Sequence, residues 1–306
     1  MRDAAAEIQT ALAHFHGGDP IGAQRHCRLA LAAEPNNFIA HLLLGAALNA
    51  SGAHAEAIAC LNKAQTLGQD NEDVYVNRGL ARLALNELEP ALADFTRCTE
   101  LAPNFAFAHF HRAQVLAALG RDLEAQITHR RAADLSLAQS RENPNNAQIA
   151  GEACVYCLAA GWFEGCVEAG DRATALAPGS PESWSNRGAA HMALGRTDKA
   201  LSDFDEALRL RPAYPEAHFN RGAILCQLGA PNEALAAYEA ALALRPAFPD
   251  ALSGKGLALV QLGRLSEAHS VCEAAIQLAP QHADAWNNLG IVLLQLQNEA
   301  AAFDYF

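Results

Sequence analysis

The sequence is poor in aromatic residues, in methionine and in positive charge. Only 7% of its 306 residues are aromatic and two are Met, whereas Ala is abundant, which favours closely packed helices over sheets. Its 22 Lys and Arg stand against 34 Asp and Glu, a net charge of -12 that argues against nucleic acid or anionic lipid as a partner. No window approaches the ~18 apolar residues of a membrane span, and the N-terminal region lacks the apolar core of a signal peptide. We therefore predict a cytoplasmic protein without membrane insertion.

Catalytic and cofactor-binding motifs are also missing. The sequence has no zinc-protease helix, phosphate loop, nucleophile elbow or dinucleotide fingerprint. Cys154, Cys157 and Cys166 could begin a zinc site, but no fourth ligand stands at a telling spacing, so we interpret them as reduced packing residues. His109 and His111 point about 200° apart on a helix and cannot share a metal. We predict no enzyme activity, no cofactor and no metal.

Proline recurs in one context, after helical runs rich in Ala and Leu, and its last four occurrences there are 34 residues apart: Pro178, Pro212, Pro246 and Pro280. With this Pro at repeat position 32, residues 4–139 form repeats 1–4. Residues 140–146 are an insert that extends a helix. Residues 147–306 form repeats 5–8 and a partial repeat 9, which stops within its second helix at Phe306.

Small residues recur inside each repeat at positions where two helices meet. Gly or Ala stands at position 8, Gly ends the first helix at position 15, and Ala follows at positions 20 and 27. Each repeat is therefore predicted to be a helical hairpin. Aromatic rings share position 4, where His41, His109 and His218 replace Tyr75, Trp184 and Trp286 and are interpreted as packing residues.

The combination of Trp184, Arg187-Gly188, Ala200, Phe204 and Pro212 in one repeat, with Trp286 and Gly290 in another, resembles the tetratricopeptide repeat (TPR) pattern. The resemblance extends over nearly the whole chain. It implies an all-α, right-handed superhelical solenoid of antiparallel helix hairpins, whose first helices line a concave groove that binds peptides or protein segments.

The groove implied by this resemblance corresponds to repeat positions 2, 5, 6, 9, 12 and 13. In the first four repeats these positions are rich in large apolar groups, and in the last four they become polar and acidic. We expect peptide-binding roles for Phe15, Leu42, Asn77, Leu80, Leu83, Phe107, Phe110, Asn186, Asn220 and Asn288. The acids at position 2, such as Glu182 and Glu216, can instead serve the helix dipole.

The asparagines at position 6 admit two interpretations. They can be ordinary helix-surface residues, or their amides can pair with the backbone of an extended peptide. The row also resembles the asparagine ladder in the TPR arm of O-linked N-acetylglucosamine transferases. That resemblance implies the alternative function, a substrate-recognition arm of a larger enzyme such as a glycosyltransferase, with its catalytic domain beyond residue 306.

Arginine replaces the usual Leu at position 7 in four repeats, at Arg78, Arg112, Arg187 and Arg221. Asp94 and Asp203 stand at position 23 of two of these repeats, at nearly the same height in an antiparallel hairpin. We predict structural ion pairs Arg78–Asp94 and Arg187–Asp203, partly buried.

The segment 140–170 combines the insert with three helical glycines and three cysteines. It can be neutral drift of a repeat protein, or a hinge or contact site, and we expect it to be the most mobile internal region. For the chain as a whole we predict a non-enzymatic scaffold that binds a protein segment in its groove and assembles a complex. Self-association through the open helical ends is a further possibility.

Overall fold

The computed structural model describes residues 3–68 and 70–296, so the predicted second helix of the partial repeat 9, which stops at Phe306, lies outside the described part of the chain. Within that part there are 17 α-helices and no strand, which confirms the all-α prediction. None of the helices described there is long and apolar enough to cross a bilayer.

The chain divides into two compact units, residues 1–139 and 140–306. Unit 1 contains α1 (Ala4–His16), α2 (Pro20–Ala33), α3 (Phe38–Ala50), α4 (His54–Leu67), α5 (Glu72–Ala84), α6 (Leu88–Leu101), α7 (Ala106–Ala118) and most of α8 (Asp122–Glu142). Unit 2 contains α9 (Ala147–Ala159), α10 (Phe163–Leu176), α11 (Pro181–Ala193), α12 (Thr197–Leu210), α13 (Pro215–Gln227), α14 (Pro231–Leu244), α15 (Pro249–Gln261), α16 (Leu265–Leu278) and α17 (Ala283–Gln295).

The helix ends follow from capping residues and from residues that tolerate positive φ. Asn37 caps α3 by accepting a hydrogen bond from the Ala40 N–H at 3.0 Å, and Pro181 occupies the first turn of α11, where a missing N–H costs nothing. Seven of the turns between the two helices of a repeat use a left-handed glycine, and Asn86 (φ 59°) takes that place in repeat 3. These glycines are Gly18, Gly52, Gly120, Gly161, Gly195, Gly229 and Gly263.

Several hairpins close by fitting a large side chain from the second helix over the small residue of the first. A Cβ atom added to Gly79 would lie 2.9 Å from the Phe95 ring, and one added to Gly222 would lie 2.9 Å from the Tyr238 ring. Phe95 is fully buried and Tyr238 nearly so. The close approach predicted from the small residues is therefore present, and each unit is a superhelical solenoid of such hairpins.

The aromatic rings at repeat position 4 connect successive repeats by hydrogen bonds. Trp184 Nε1 donates to the Pro178 carbonyl at 2.9 Å, and Trp286 Nε1 donates to the Pro280 carbonyl at 2.8 Å. His218 Nε2 lies 2.9 Å from the Pro212 carbonyl. The hydrogen bond between the ring and the proline carbonyl thus fixes the loop between two hairpins. This role is additional to the packing role expected from the sequence.

The insert lengthens α8, which runs to Glu142, two residues before Pro144. Arg141 near its end forms an ion pair with Glu168 of α10 at 2.7 Å. The second helix of repeat 4 is thus seven residues longer than the other second helices of unit 1, each of which has 14.

Candidate functional site

The first helices of the repeats form a layer of their own in each unit. In unit 1, α1 contacts α3, α3 contacts α5 and α5 contacts α7, and in unit 2 the same holds from α9 through α11, α13 and α15 to α17. The second helices α2, α4 and α6 show no comparable mutual packing in the residues that the structure describes. Because the side with the closer neighbours is the inside of a curved array, the first helices line the inner face of each unit.

Four of the predicted site residues lie along this layer in repeats 1–3. Phe15, Leu42, Leu80 and Leu83 are half-buried and pack at the edge of the hydrophobic core rather than inside it. Each of them lies on a first helix, and part of its side chain stays exposed. Leu43, which neighbours Leu42, is buried and contributes to the core itself.

Repeat 4 places a cluster of rings around His111 on α7. The Phe107 ring meets His111 edge-on at 4.3 Å, and the Phe110 ring meets it at 5.4 Å, both measured between centroids. Phe110 also contacts His129 of α8 at 5.5 Å, and Phe95 stacks on His111 at 5.7 Å. Burial lowers the pKa of both histidines, so the cluster is apolar and uncharged at neutral pH. Phe107 and Phe110 remain half-buried at its surface.

The asparagines at position 6 differ in what their amides do. The Asn77 amide donates to the Asp73 backbone carbonyl of its own helix, and the backbone carbonyl of Asn77 accepts from the Asn49 side-chain amide of the preceding repeat at 2.6 Å. Asn288 is 7% exposed and donates to both the carbonyl and the Oγ of Ser253 at 3.1 Å. Asn186 and Asn220 are half-buried. The four amides are therefore not equivalent, because those of Asn77 and Asn288 donate hydrogen bonds to other residues of this chain.

The acidic groups at position 2 of unit 2 are largely neutralised within their own repeats. Glu182 forms an ion pair with Arg211, Glu216 forms one with Arg245, and Asp250 accepts from His282 at 3.1 Å. Burial opposes the ionisation of Glu216, but the Arg245 guanidinium and the helix backbone prevail and lower the pKa of that carboxyl. These position-2 acids therefore contribute less negative charge to unit 2 than their number implies.

Both predicted arginine–aspartate pairs are present. Arg78 Nη2 lies 2.7 Å from Asp94 Oδ1 with both side chains buried, and Arg187 Nη2 lies 2.6 Å from Asp203 Oδ1. Arg187 also reaches Asp171 of the preceding repeat at 2.8 Å, a contact that the sequence interpretation missed.

The sequence does contain a signal for this second contact, because an acidic residue stands 16 positions before the basic residue at position 7. Arg221 meets Asp205 at 2.6 Å, and Lys255 meets Glu239 at 2.9 Å. Arg112 has threonines at both acceptor positions, and its buried Nε finds no acceptor among the described residues.

The cysteines of repeat 5 form a packed contact. The Sγ atoms of Cys154 and Cys166 are 3.1 Å apart, and both residues are fully buried. The hydrogen bond with Cys154 and burial together raise the pKa of Cys166, so its thiol stays protonated. In residues 3–68 and 70–296, no three His, Cys, Asp or Glu side chains are arranged to hold a metal ion.

Comparison with known families gives the same repeat along most of the chain. Tetratricopeptide repeat models match residues 2–72, 72–105, 188–229, 222–263 and 253–306. The chain is a TPR protein. The matches leave 106–187 uncovered, the segment that holds the ring cluster of repeat 4, the long helix α8 and the cysteine-rich repeat 5.

This TPR protein is similar to other proteins over different lengths. DnaJ homolog subfamily C member 3 of Rattus norvegicus is 30% identical over 109 residues, which are 36% of this chain and 22% of the relative. A chain of the APC/C hetero-tetramer Cut9–Hcn1 aligns with a TM-score of 0.65 and 17% identity over 90% of this chain and 54% of its own. MamA of Desulfovibrio magneticus RS-1 is 26% identical over 52% of this chain and 90% of its own, with a TM-score of 0.48. The chain thus spans only part of the first two relatives, and the shared feature is the TPR fold, generally a protein-interaction scaffold.

Proposed function

We propose that this TPR protein is a non-enzymatic scaffold that holds a segment of another protein against the inner face of its first helices and so assembles a complex. The observation that carries the proposal is the row of half-buried apolar side chains on α1, α3, α5 and α7, which extends from Phe15 to Phe110. These groups lie at the edge of the core, so their outer surfaces remain in water until a partner covers them.

The energy available on this face suits a short segment. Fully covering one Leu or Phe side chain contributes about 1.5–3 kcal/mol, and these residues are half-covered already, so each offers about half of that. Several together offset the ordering of a short segment, which costs about 0.5–1.5 kcal/mol for each immobilised side chain. The inner face of unit 2 offers polar groups instead, and it contributes orientation to a more polar continuation.

The alternative, a substrate-recognition arm of a glycosyltransferase-like enzyme, depends on the asparagine row. Asn77 and Asn288 already donate to backbone carbonyls of this chain. These internal hydrogen bonds favour the scaffold over the recognition arm.

Selection from a random dodecapeptide library displayed on phage tests the proposal, with the full chain immobilised. A selected peptide should protect amides of α3, α5 and α7 from hydrogen exchange, because these helices carry the apolar row. Failure to select any peptide, or protection limited to the second helices α2, α4 and α6, would contradict the proposed binding face.

A further inference from the structure

Gly151 lies in the interior of α9, although glycine is a weak helix former. A Cβ atom added there would have no neighbour within 4 Å, so packing does not explain this glycine. The other two helical glycines of repeat 5 are different, because a Cβ on Gly165 would strike the Trp162 ring at 2.7 Å and one on Gly170 would strike Arg187 at 2.9 Å. Gly151 is therefore the one of these three helical glycines that leaves open space.

That space is on the inner face. Gly151 is at repeat position 5, where most repeats carry a larger side chain: Ile8, Leu42, Val76, Phe110, Ser185, Phe219, Ser253 and Asn287. Its missing side chain opens a cleft of ≈ 370 Å³ between α9 and α11. Val155 and Tyr156 provide apolar walls, and Glu152, Glu182 and Asn186 provide polar ones.

The charge of the cleft is negative. Glu182 forms an ion pair with Arg211. Glu152 accepts only from the neutral amide of Gln148 at 3.0 Å, and it has no ion pair with any cation of the described chain. No Lys, Arg or His stands among the described residues that line the cleft. One exposed carboxylate beside an apolar wall thus has no counter-charge in the part of the chain that the structure describes.

The size of the cleft restricts what can occupy it. Its volume is near the lower end of the range of about 300–1,000 Å³ that is typical of ligand pockets. Val155 is 37% exposed and offers apolar surface to an alkyl chain. Long basic side chains combine an apolar stem with a charged end, and they bury the stem while the charge remains at a polar rim.

We propose that this cleft is a subsite for one Lys or Arg side chain of the bound segment, with its stem over Gly151 and Val155 and its cation at Glu152. The subsite rests on the proposed function, because it names the residue that the scaffold selects in its partner. A partner segment should therefore carry a basic residue at a fixed position.

Two pairs of variants test the space and the charge separately. Gly151→Ala adds one methyl group and leaves the cleft open, whereas Gly151→Leu fills it, and both should fold because the added Cβ meets no neighbour. Glu152→Gln removes the charge from the rim. Glu164→Gln makes the same change on α10, where Glu164 pairs with Arg196 outside the cleft lining.

The probes are the peptides that the wild-type chain selects from the dodecapeptide library, followed by fluorescence anisotropy. We expect a Lys or Arg enriched at one aligned position, and at least tenfold weaker binding after that residue is replaced by norleucine. Gly151→Leu and Glu152→Gln should each weaken binding by a similar factor, whereas Gly151→Ala and Glu164→Gln should change it less than twofold.

The possible failures are distinguishable. Peptides that bind well without a basic residue, or that bind Gly151→Leu unchanged, overturn the subsite and leave the scaffold function intact. A library that yields no binder contradicts both proposals. If Gly151→Leu changes the elution volume in gel filtration while peptide binding is unaffected, the cleft is an interface between copies of this chain and the subsite is wrong.

Discussion

Replacing Asp94 by Asn should destabilise repeat 3 strongly, because Asp94 is the anionic centre of a buried network. Its carboxylate accepts from Arg78 Nη2 at 2.7 Å and from Arg82 Nη1 at 2.8 Å, and its side chain is only 3% exposed. Two unit charges about 4 Å apart at an effective dielectric constant of about 20 attract by about 4 kcal/mol. Removing one partner also leaves the other charge buried without compensation, for which about 3–5 kcal/mol is typical.

The matched control is Asp205→Asn, which removes the same charge from the exposed pair with Arg221. That aspartate is 52% exposed, so its loss should cost at most about 1 kcal/mol. Urea unfolding followed by far-ultraviolet circular dichroism gives both unfolding free energies, and amide exchange in α5 and α6 locates the loss. Equal costs for the two variants would refute the reasoning that burial gives the Asp94 network its strength.

Other predictions concern single residues and one segment. The unfolding free energy of unit 1 should fall as the pH is lowered from about 8 to about 5.5. Burial lowers the pKa of His111 below its ordinary 6.5, so the unfolded chain takes up the proton first. The urea midpoint of the His111→Phe variant should therefore depend less on pH than that of the wild type. Cys154 and Cys166 should react with iodoacetamide only after urea is added, as mass spectrometry can show, since both thiols are buried. Gly79→Ala should cost about 1–3 kcal/mol in urea unfolding by forcing a methyl group against the Phe95 ring, and a neutral result would contradict the close approach. Residues 140–170 should exchange their amides faster than 181–282, and equal protection would remove the hinge interpretation.

The fold was predictable from the sequence because the same pattern of small and large residues recurs in successive repeats. Gly at position 8 requires a close second helix, and the large residue at position 24, such as Phe95, fills the space that this glycine leaves. The pair Arg78–Asp94 was predictable for the same reason, since both residues belong to one hairpin whose turn sets their relative height.

Contacts between repeats were harder to predict. The pair Arg187–Asp171 joins two hairpins, and its geometry depends on how one repeat is rotated against the next, which the pattern within a repeat does not specify. Asn288 is buried against Ser253 and Asn186 lies beside the open cleft at Gly151, although both asparagines occupy position 6. The role of an inner-face residue therefore depends on its neighbours in the adjacent repeat.

The central claim, that the apolar row on the first helices binds the partner, is tested most directly by the affinity of one library-selected peptide for three forms of the chain. These are the wild type, the double variant Phe107→Ala/Phe110→Ala, and the control Leu123→Ala/Ile127→Ala. The control removes two apolar side chains of α8 that are 72% and 64% exposed, on a second helix rather than on the inner face. Circular dichroism establishes that each variant is folded before anisotropy is measured. We predict at least tenfold weaker binding by the double phenylalanine variant and wild-type affinity for the control, whereas the reverse order would place the binding surface on the second helices and contradict the account.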